Sequence, residues 1–147
     1  MRDLVERAKE LAYRAHAGQT DKAGRPYIEH VARVAAAVSD DPEAEAVAWL
    51  HDVLEDAPDY WEQASRLAYQ RQQAAIVKLS RQFASSTDGY YYAIRADPLA
   101  LRVKLADIAD NADEARLALL DEKTAARLRR KYAKARQMLG EATDGGR

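Results

Sequence analysis

The chain of 147 residues carries 23 Lys and Arg against 24 Asp and Glu, a formal net charge of -1, so it has no overall basic field with which to hold nucleic acid. Cys is absent, which excludes disulfide stapling, Cys-ligated zinc or iron–sulfur centres and a Cys nucleophile. At 48% hydrophobic and 32% charged residues the composition is that of one folded soluble domain, and no apolar run approaches the roughly 20 residues of a membrane span.

The first residues, Met1-Arg2-Asp3-Leu4-Val5-Glu6-Arg7, are charged throughout and lack the apolar stretch of a secretory signal, so a cytoplasmic location is the expectation. Leu4, Ala8, Leu11, Ala12 and Ala15 recur at helical spacing and predict a first helix to about Ala17, ended by Gly18. A polar loop from Gln19 to Pro26 follows. A second helix begins near Tyr27, with Ile28, Val31, Val34, Ala35 and Val38 inward. Asp41-Pro42-Glu43 is a helix start, with Asp as N-cap and Pro in the first turn. The third helix it opens is predicted to run through His51-Asp52 and to end before Pro58.

One or two helices are expected between Asp59 and Phe83, and a cap or turn cluster at Ser85–Gly89 before Tyr90-Tyr91-Tyr92. Asp97-Pro98 repeats the start signal and opens a helix that carries Val103, Ala106 and Asp110-Asn111. Ala112–Leu120 continues helical with a bend. Asp121 caps a last helix, Glu122 to Leu139, stopped by Gly140. No alternating strand pattern of useful length is present. The prediction is an all-α, single-domain bundle over 1–140 with a flexible C-terminal tail at 141–147.

Chemistry concentrates in His51-Asp52 and in Glu55-Asp56 one turn on. Four such groups within six residues, set among apolar positions, cost desolvation unless a partner offsets them, and a divalent cation is one such partner. His30 lies among inward apolar residues of the second helix. Asp107 lies on the apolar side of the later helix, with Asn111 one turn on. A His/His/Asp/Asp set from three helices leaves room on the ion for water or a phosphate oxygen. Plainer readings stand beside these: a solvated helix end at His51–Asp56, a satisfied half-buried His30, a surface ion pair of Lys104 with Asp107, and solvated loop charges at Lys22 and Arg25. His16 is expected to orient the loop by a hydrogen bond. Tyr90-Tyr91-Tyr92 is read first as core packing and second as a wall for a base or ribose. Arg127–Lys134 is read as the solvated side of the last helix.

Three blocks stand in order: Ala15-His16-x-Gly18-Gln19-x-Asp21-Lys22-x-Gly24-x-Pro26-Tyr27-Ile28-x-His30, then Leu50-His51-Asp52-x-x-Glu55-Asp56, then Val103-Lys104-Leu105-Ala106-Asp107-x-x-Asp110-Asn111. Together they resemble the HD-domain phosphohydrolase superfamily, and more closely the hydrolase domain of the RelA/SpoT family and its small stand-alone homologues. The resemblance spans about residues 8 to 135. It implies an HD-fold helical bundle with one divalent metal ion, usually Mn2+, and removal of the 3′-pyrophosphate of guanosine-3′,5′-bis(diphosphate) (ppGpp). By position it implies His30, His51, Asp52 and Asp107 as metal ligands and Glu55 and Asp56 as the acids that position or deprotonate the attacking water. Lys22, Lys104 and Asn111 are implied as substrate-binding residues. Departures are Val31, where relatives carry Pro, and Asp21, where bifunctional members often carry Arg.

The expected partner is a small-molecule nucleotide, with neither nucleic acid nor membrane, acting on a monomer or homodimer. The length leaves no room for a synthetase domain. Alternatives are an HD phosphohydrolase of another phosphate ester, such as a nucleoside monophosphate or NADPH, and a non-catalytic metal- or nucleotide-binding module. The donor set also suits Fe2+, Zn2+, Co2+ or Ni2+.

Overall fold

A computed structural model describes residues 1–141; of the predicted tail at 141–147, all but Glu141 lies outside the described residues. The described chain is all-α, as predicted. In order the helices are α1 Arg2–Ala15, α2 Tyr27–Ala37, α3 Pro42–Leu50, α4 Val53–Asp56, α5 Trp61–Leu67, α6 Gln70–Leu79, α7 Thr87–Arg95, α8 Pro98–Asn111, α9 Glu114–Leu117 and α10 Glu122–Met138, with 3-10 turns at Pro58–Tyr60 and Arg81–Phe83. Among the described residues no strand forms; a single bridge pairs Thr20 with Pro26 and pinches the loop after α1.

The start signals work through their side chains. Asp41 accepts from the Glu43 amide at 3.1 Å, with Pro42 in the first turn. Ser86 accepts from Gly89 at 2.9 Å, so the three tyrosines lie inside α7 and not after a turn. Asp121 accepts from Thr124 at 2.8 Å to open α10. Each cap satisfies an amide that the helix cannot. At the far ends, Gly18 and Gly140 hold φ of 82° and 84°, a left-handed conformation that other residues rarely adopt. The first helix stops at Ala15, two residues short of the predicted end.

α8 is the axis of the molecule. It packs on α2, α3, α6, α7 and α10, while α1 lies across α3. Ala100, Val103 and Ile108 of α8 are buried with Val31 and Val34 of α2 and Val47 and Leu50 of α3. A smaller cluster of Leu117, Ala125 and Leu128 seats the start of α10. Asp97 opens α8 by accepting from Leu99 at 3.1 Å and Ala100 at 3.3 Å, and it also pairs with Lys78 of α6 at 3.0 Å. Asp97→Ala is therefore expected to cost about 1–2 kcal/mol, which a thermal melt reads as a fall of about 3–6 °C.

Candidate active site

The predicted third helix breaks where the chemistry begins. α3 ends at Leu50, His51 and Asp52 form a turn, and α4 restarts at Val53. The cause is local. His51 turns its ring back so that Nδ1 donates to the Ala48 carbonyl at 2.6 Å, and the His51 amide makes only a long 3.4 Å bond to the same carbonyl. Adjacent side chains on a continuous helix diverge by about 100°. The break instead lets His51 and Asp52 face one cleft, and the Asp56 amide closes α4 on the Asp52 carbonyl at 2.8 Å.

Three buried groups from three elements meet there. His30 of α2, His51 of the turn and Asp107 of α8 each offer a donor atom within 4.8 Å of the other two. Nε2 of His30 lies 2.9 Å from Asp107 Oδ1. Nε2 of His51 lies 3.6 Å from that oxygen and 3.1 Å from Asp52 Oδ2. Asp52 falls outside the mutual radius of the other three, and Tyr27 accounts for its position by donating its hydroxyl to the same Oδ2.

Each of these four groups has a partner behind it. His51 is oriented by the Ala48 carbonyl, Asp52 by Tyr27, and His30 by Asp110, whose Oδ2 accepts from Nδ1 at 2.6 Å. Asp107 accepts from Lys104 at 3.2 Å and from Asn111 at 3.1 Å. The predicted ion pair of Lys104 with Asp107 thus exists, but inside the molecule, where its side chains are 17% and 11% exposed. Asn111 spends its amide N–H on Asp107 and its carbonyl on Arg116. Lys104 and Asn111, expected to bind substrate, line the cavity, and both bond to Asp107 and hold it in place.

The charges answer one another. Burial alone would raise the Asp107 carboxyl, but Lys104 and the two imidazoles hold it well below the usual carboxylate range. Burial would lower the His51 pKa, yet Asp52 and Asp107 raise it well above the ordinary value. At Asp56 burial, Asp52 and Glu55 act together and push the carboxyl up to about 6. Asp110 goes the other way, down to about 2, because the His30 and Arg33 hydrogen bonds outweigh its burial.

Glu55 and Asp56 both line the cavity, with different engagements. Glu55 Oε1 accepts from the Arg81 amide at 2.7 Å, which ties α4 to the turn after α6. Asp56 engages through its backbone, its amide donating to Asp52 and its carbonyl accepting from Gln19 Nε2 at 3.2 Å. His16 behaves as predicted: buried, it pairs through Nδ1 with Gln19 at 2.8 Å and fixes the start of the loop.

His51, Asp52, Glu55, Asp56 and Asp107 lie on the wall of a cavity of about 470 Å³, and His30 is buried behind that wall. Lys22, Arg81, Lys131 and Arg116 also line it, as do Tyr90 and Tyr91. Tyr92 points away at 59% exposed, so the tyrosine run divides between wall and surface. Lys131 is exposed, as expected of a solvated face, and it also borders the cavity. Burial lowers its ammonium pKa, and so do Lys104, Arg81, Lys22 and Arg127. Crowded like charges of this kind favour a polyanion between them. Asp21 binds the Ala23 and Arg25 amides at 2.9 Å each and the Arg116 guanidinium at 2.9 Å. A guanidinium therefore does stand beside position 21, delivered from α9. Arg33, Asp110 and Arg116 had no assigned role in the sequence, and Tyr27 was visible only as a motif position.

The donor set fits a divalent cation. Nδ1 of His51 is the donor to Ala48, which leaves Nε2 as a buried atom without a hydrogen-bond partner, facing two carboxylates. Two carboxylates about one buried imidazole nitrogen call for a positive charge, which a proton on Nε2 supplies in the metal-free protein and a divalent ion would supply in its place. Mixed imidazole and carboxylate donors suit first-row divalent ions, and outer partners of the kind seen here orient such ligands.

No family model matches the chain. It is 36% identical over 123 residues to a Synechocystis protein named probable guanosine-3′,5′-bis(diphosphate) 3′-pyrophosphohydrolase, a match to 74% of this chain and 16% of that one. An Aquifex aeolicus protein named guanosine-3′,5′-bis(diphosphate) 3′-pyrophosphohydrolase is 30% identical over 118 residues, 73% of this chain and 17% of its own length. The Escherichia coli bifunctional (p)ppGpp synthase/hydrolase SpoT is 37% identical over 71 residues, 44% of this chain and 10% of its own. These similarities relate the chain to proteins of the RelA/SpoT hydrolase kind. The matches cover about a sixth of the first two relatives.

Proposed function

We propose that this chain is an HD-type, metal-dependent phosphohydrolase that removes the 3′-pyrophosphate of guanosine-3′,5′-bis(diphosphate). The observation that carries the reading is the convergence of His30, His51 and Asp107, with Asp52 beside them, at a cation-lined cavity. His30, His51, Asp52 and Asp107 would hold one divalent ion, with Mn2+ the favoured occupant. When bound, it supplies Lewis acidity toward a phosphoryl oxygen and makes water a better nucleophile near neutral pH.

The chain's own residues do the rest. Asp56 takes the proton of the attacking water; its carboxyl, poised at about 6, is ionised at neutral pH yet basic enough for the transfer. Glu55, held in place by the Arg81 amide, helps to position that water. The water oxygen bonds to the phosphorus attached at O3′, the P–O3′ bond breaks, and the 3′-oxygen leaves with the proton that Asp56 took from the water, giving GDP and pyrophosphate. Lys22, Arg81 and Lys131 offset phosphate charge, and the crowding of cations on Lys131 favours a substrate phosphorylated at two places. Tyr91 offers an apolar wall to the nucleoside. The substrate is a cytoplasmic nucleotide, and the reading places the protein with it.

The test is a product assay. Protein stripped of metal and reloaded with Mn2+ is expected to convert guanosine-3′,5′-bis(diphosphate) to GDP and pyrophosphate, and stripped protein to be silent. Turnover of NADPH or a nucleoside monophosphate in parallel reactions, with none of the bis(diphosphate), replaces the substrate while keeping the site. Metal bound with no turnover of any of them overturns the enzymatic reading in favour of a binding module.

A further inference from the structure

His30 is set apart from the other candidate ligands by how much structure stands behind it. Its Nδ1 meets Asp110 Oδ2 at 2.6 Å. The same carboxylate accepts from Arg33 Nε at 2.7 Å through Oδ1 and from an Arg116 nitrogen at 2.8 Å through Oδ2. Asp110 is one turn from Asp107 on α8, so one helix presents one carboxylate to Nε2 of His30 and another to Nδ1. Two guanidiniums occupy the oxygens of Asp110 and keep it from competing as a ligand. An amide at this position would turn an N–H2 group toward Arg33, Arg116 or the imidazole, all of them donors. A carboxylate is therefore the group that satisfies all three.

The constraint extends outward. Arg116 joins Asp110 to Asp21, 95 residues away in sequence, and Asp21 folds the loop that carries Lys22 through its bonds to the Ala23 and Arg25 amides.

We propose that Asp110 is the positioning residue of the metal centre: it fixes His30 with the proton on Nδ1 and the lone pair of Nε2 turned toward Asp107 and His51. This rests on the reading of His30 as a ligand. A carboxylate behind a ligating imidazole sets its tautomer and orientation and raises its basicity. Arg33, 45% exposed and on the far side of the carboxylate, contributes packing and charge balance but does not touch the ring.

The experiment is a Mn2+ titration followed by electron paramagnetic resonance of the free ion, on the full chain without substrate. Asp110→Ala is expected to weaken Mn2+ binding about 10- to 100-fold in a protein with the wild-type helical content. Arg33→Gln is expected to stay within about threefold of wild type, since it leaves the imidazole's partner in place. In Zn2+-loaded protein, imidazole nitrogen shifts are expected to show His30 protonated at Nδ1 in the wild type and as a mixture in Asp110→Ala. Wild-type affinity in Asp110→Ala overturns the proposal, as does an equal loss in Arg33→Gln, which would mark a general loosening of α2 against α8. Should Asp110→Ala not fold, Asp110→Asn at wild-type affinity overturns it alone. A wild-type protein that binds no Mn2+ overturns the metal reading itself, an outcome distinct from all of these.

Discussion

Asp107→Asn is expected to abolish phosphohydrolase turnover and to lower Mn2+ affinity by more than about 100-fold, beyond the loss typical of an outer partner. Asp107 is where the site's interactions converge: His30, His51, Lys104 and Asn111 all reach it. Alanine is the wrong test. It would leave the Lys104 ammonium buried without its anion, a loss of about 3–5 kcal/mol against a total stability of about 5–15 kcal/mol. Asparagine keeps an oxygen for Lys104 and the shape of the side chain. A double variant separates stability from chemistry. Lys104→Met with Asp107→Asn removes both charges of the pair and is expected to recover much of the melting temperature, because replacing a whole buried pair is close to neutral. Metal retention and turnover are not expected to recover. If Asp107→Asn keeps wild-type Mn2+ affinity, the metal assignment is wrong.

Asp56→Asn is expected to leave metal binding intact and to slow turnover about 10²- to 10⁴-fold, the range of a lost general base. Glu55→Gln is expected to slow it less, because its Oε1 already accepts from Arg81 and the amide oxygen can do the same. The acid limb of the rate profile is expected to belong to Asp56. Its carboxyl sits at about 6 against an ordinary 3.8, and in the loaded enzyme the limb is expected at or below pH 6 and absent from Asp56→Asn. The same shift has a sign in stability. A carboxyl raised in the folded state penalises the fold once ionised, so the penalty is absent below about pH 4, develops up to about pH 6 and is constant above. Metal-free Asp56→Asn is accordingly expected to melt slightly above wild type at pH 7 and level with it at pH 4. Equal turnover in wild type and Asp56→Asn would move the base elsewhere.

The helix starts were legible because their determinants are local. Asp41-Pro42, Asp97-Pro98 and Asp121 cap the amides two or three residues on, and all three appear as read. His30, His51 and Asp107 were legible for a related reason: each is a polar group at a position whose neighbours are apolar, a mismatch visible in the string itself. The break at His51 was not, since periodicity continues from Val47 to Leu54 and only the ring's bond to Ala48 ends the helix. Nor were the roles of Asp110 and Arg116. Their partners lie 80 and 95 residues away, and a charged residue looks the same in sequence whether it faces water or another charge. That Lys131 borders the cavity was hidden on the same ground: it is one of several exposed cations on a helix whose cavity-facing side only tertiary packing defines.

The order in which the three blocks occur along the chain also bears on its synthesis. Residues 30, 51 and 52 are made early, whereas Asp107 arrives on α8, with the helices from α4 to α7 in between. α8 is also the element on which α2 and α3 close. A nascent chain still lacking α8 would have α1, α2 and α3 to pack on one another but would lack Asp107, the carboxylate on which the site converges. On the proposed reading, metal capture is thereby expected only once α8 has joined the fold, and a polypeptide stalled on the ribosome before α8 emerges is expected to be inert.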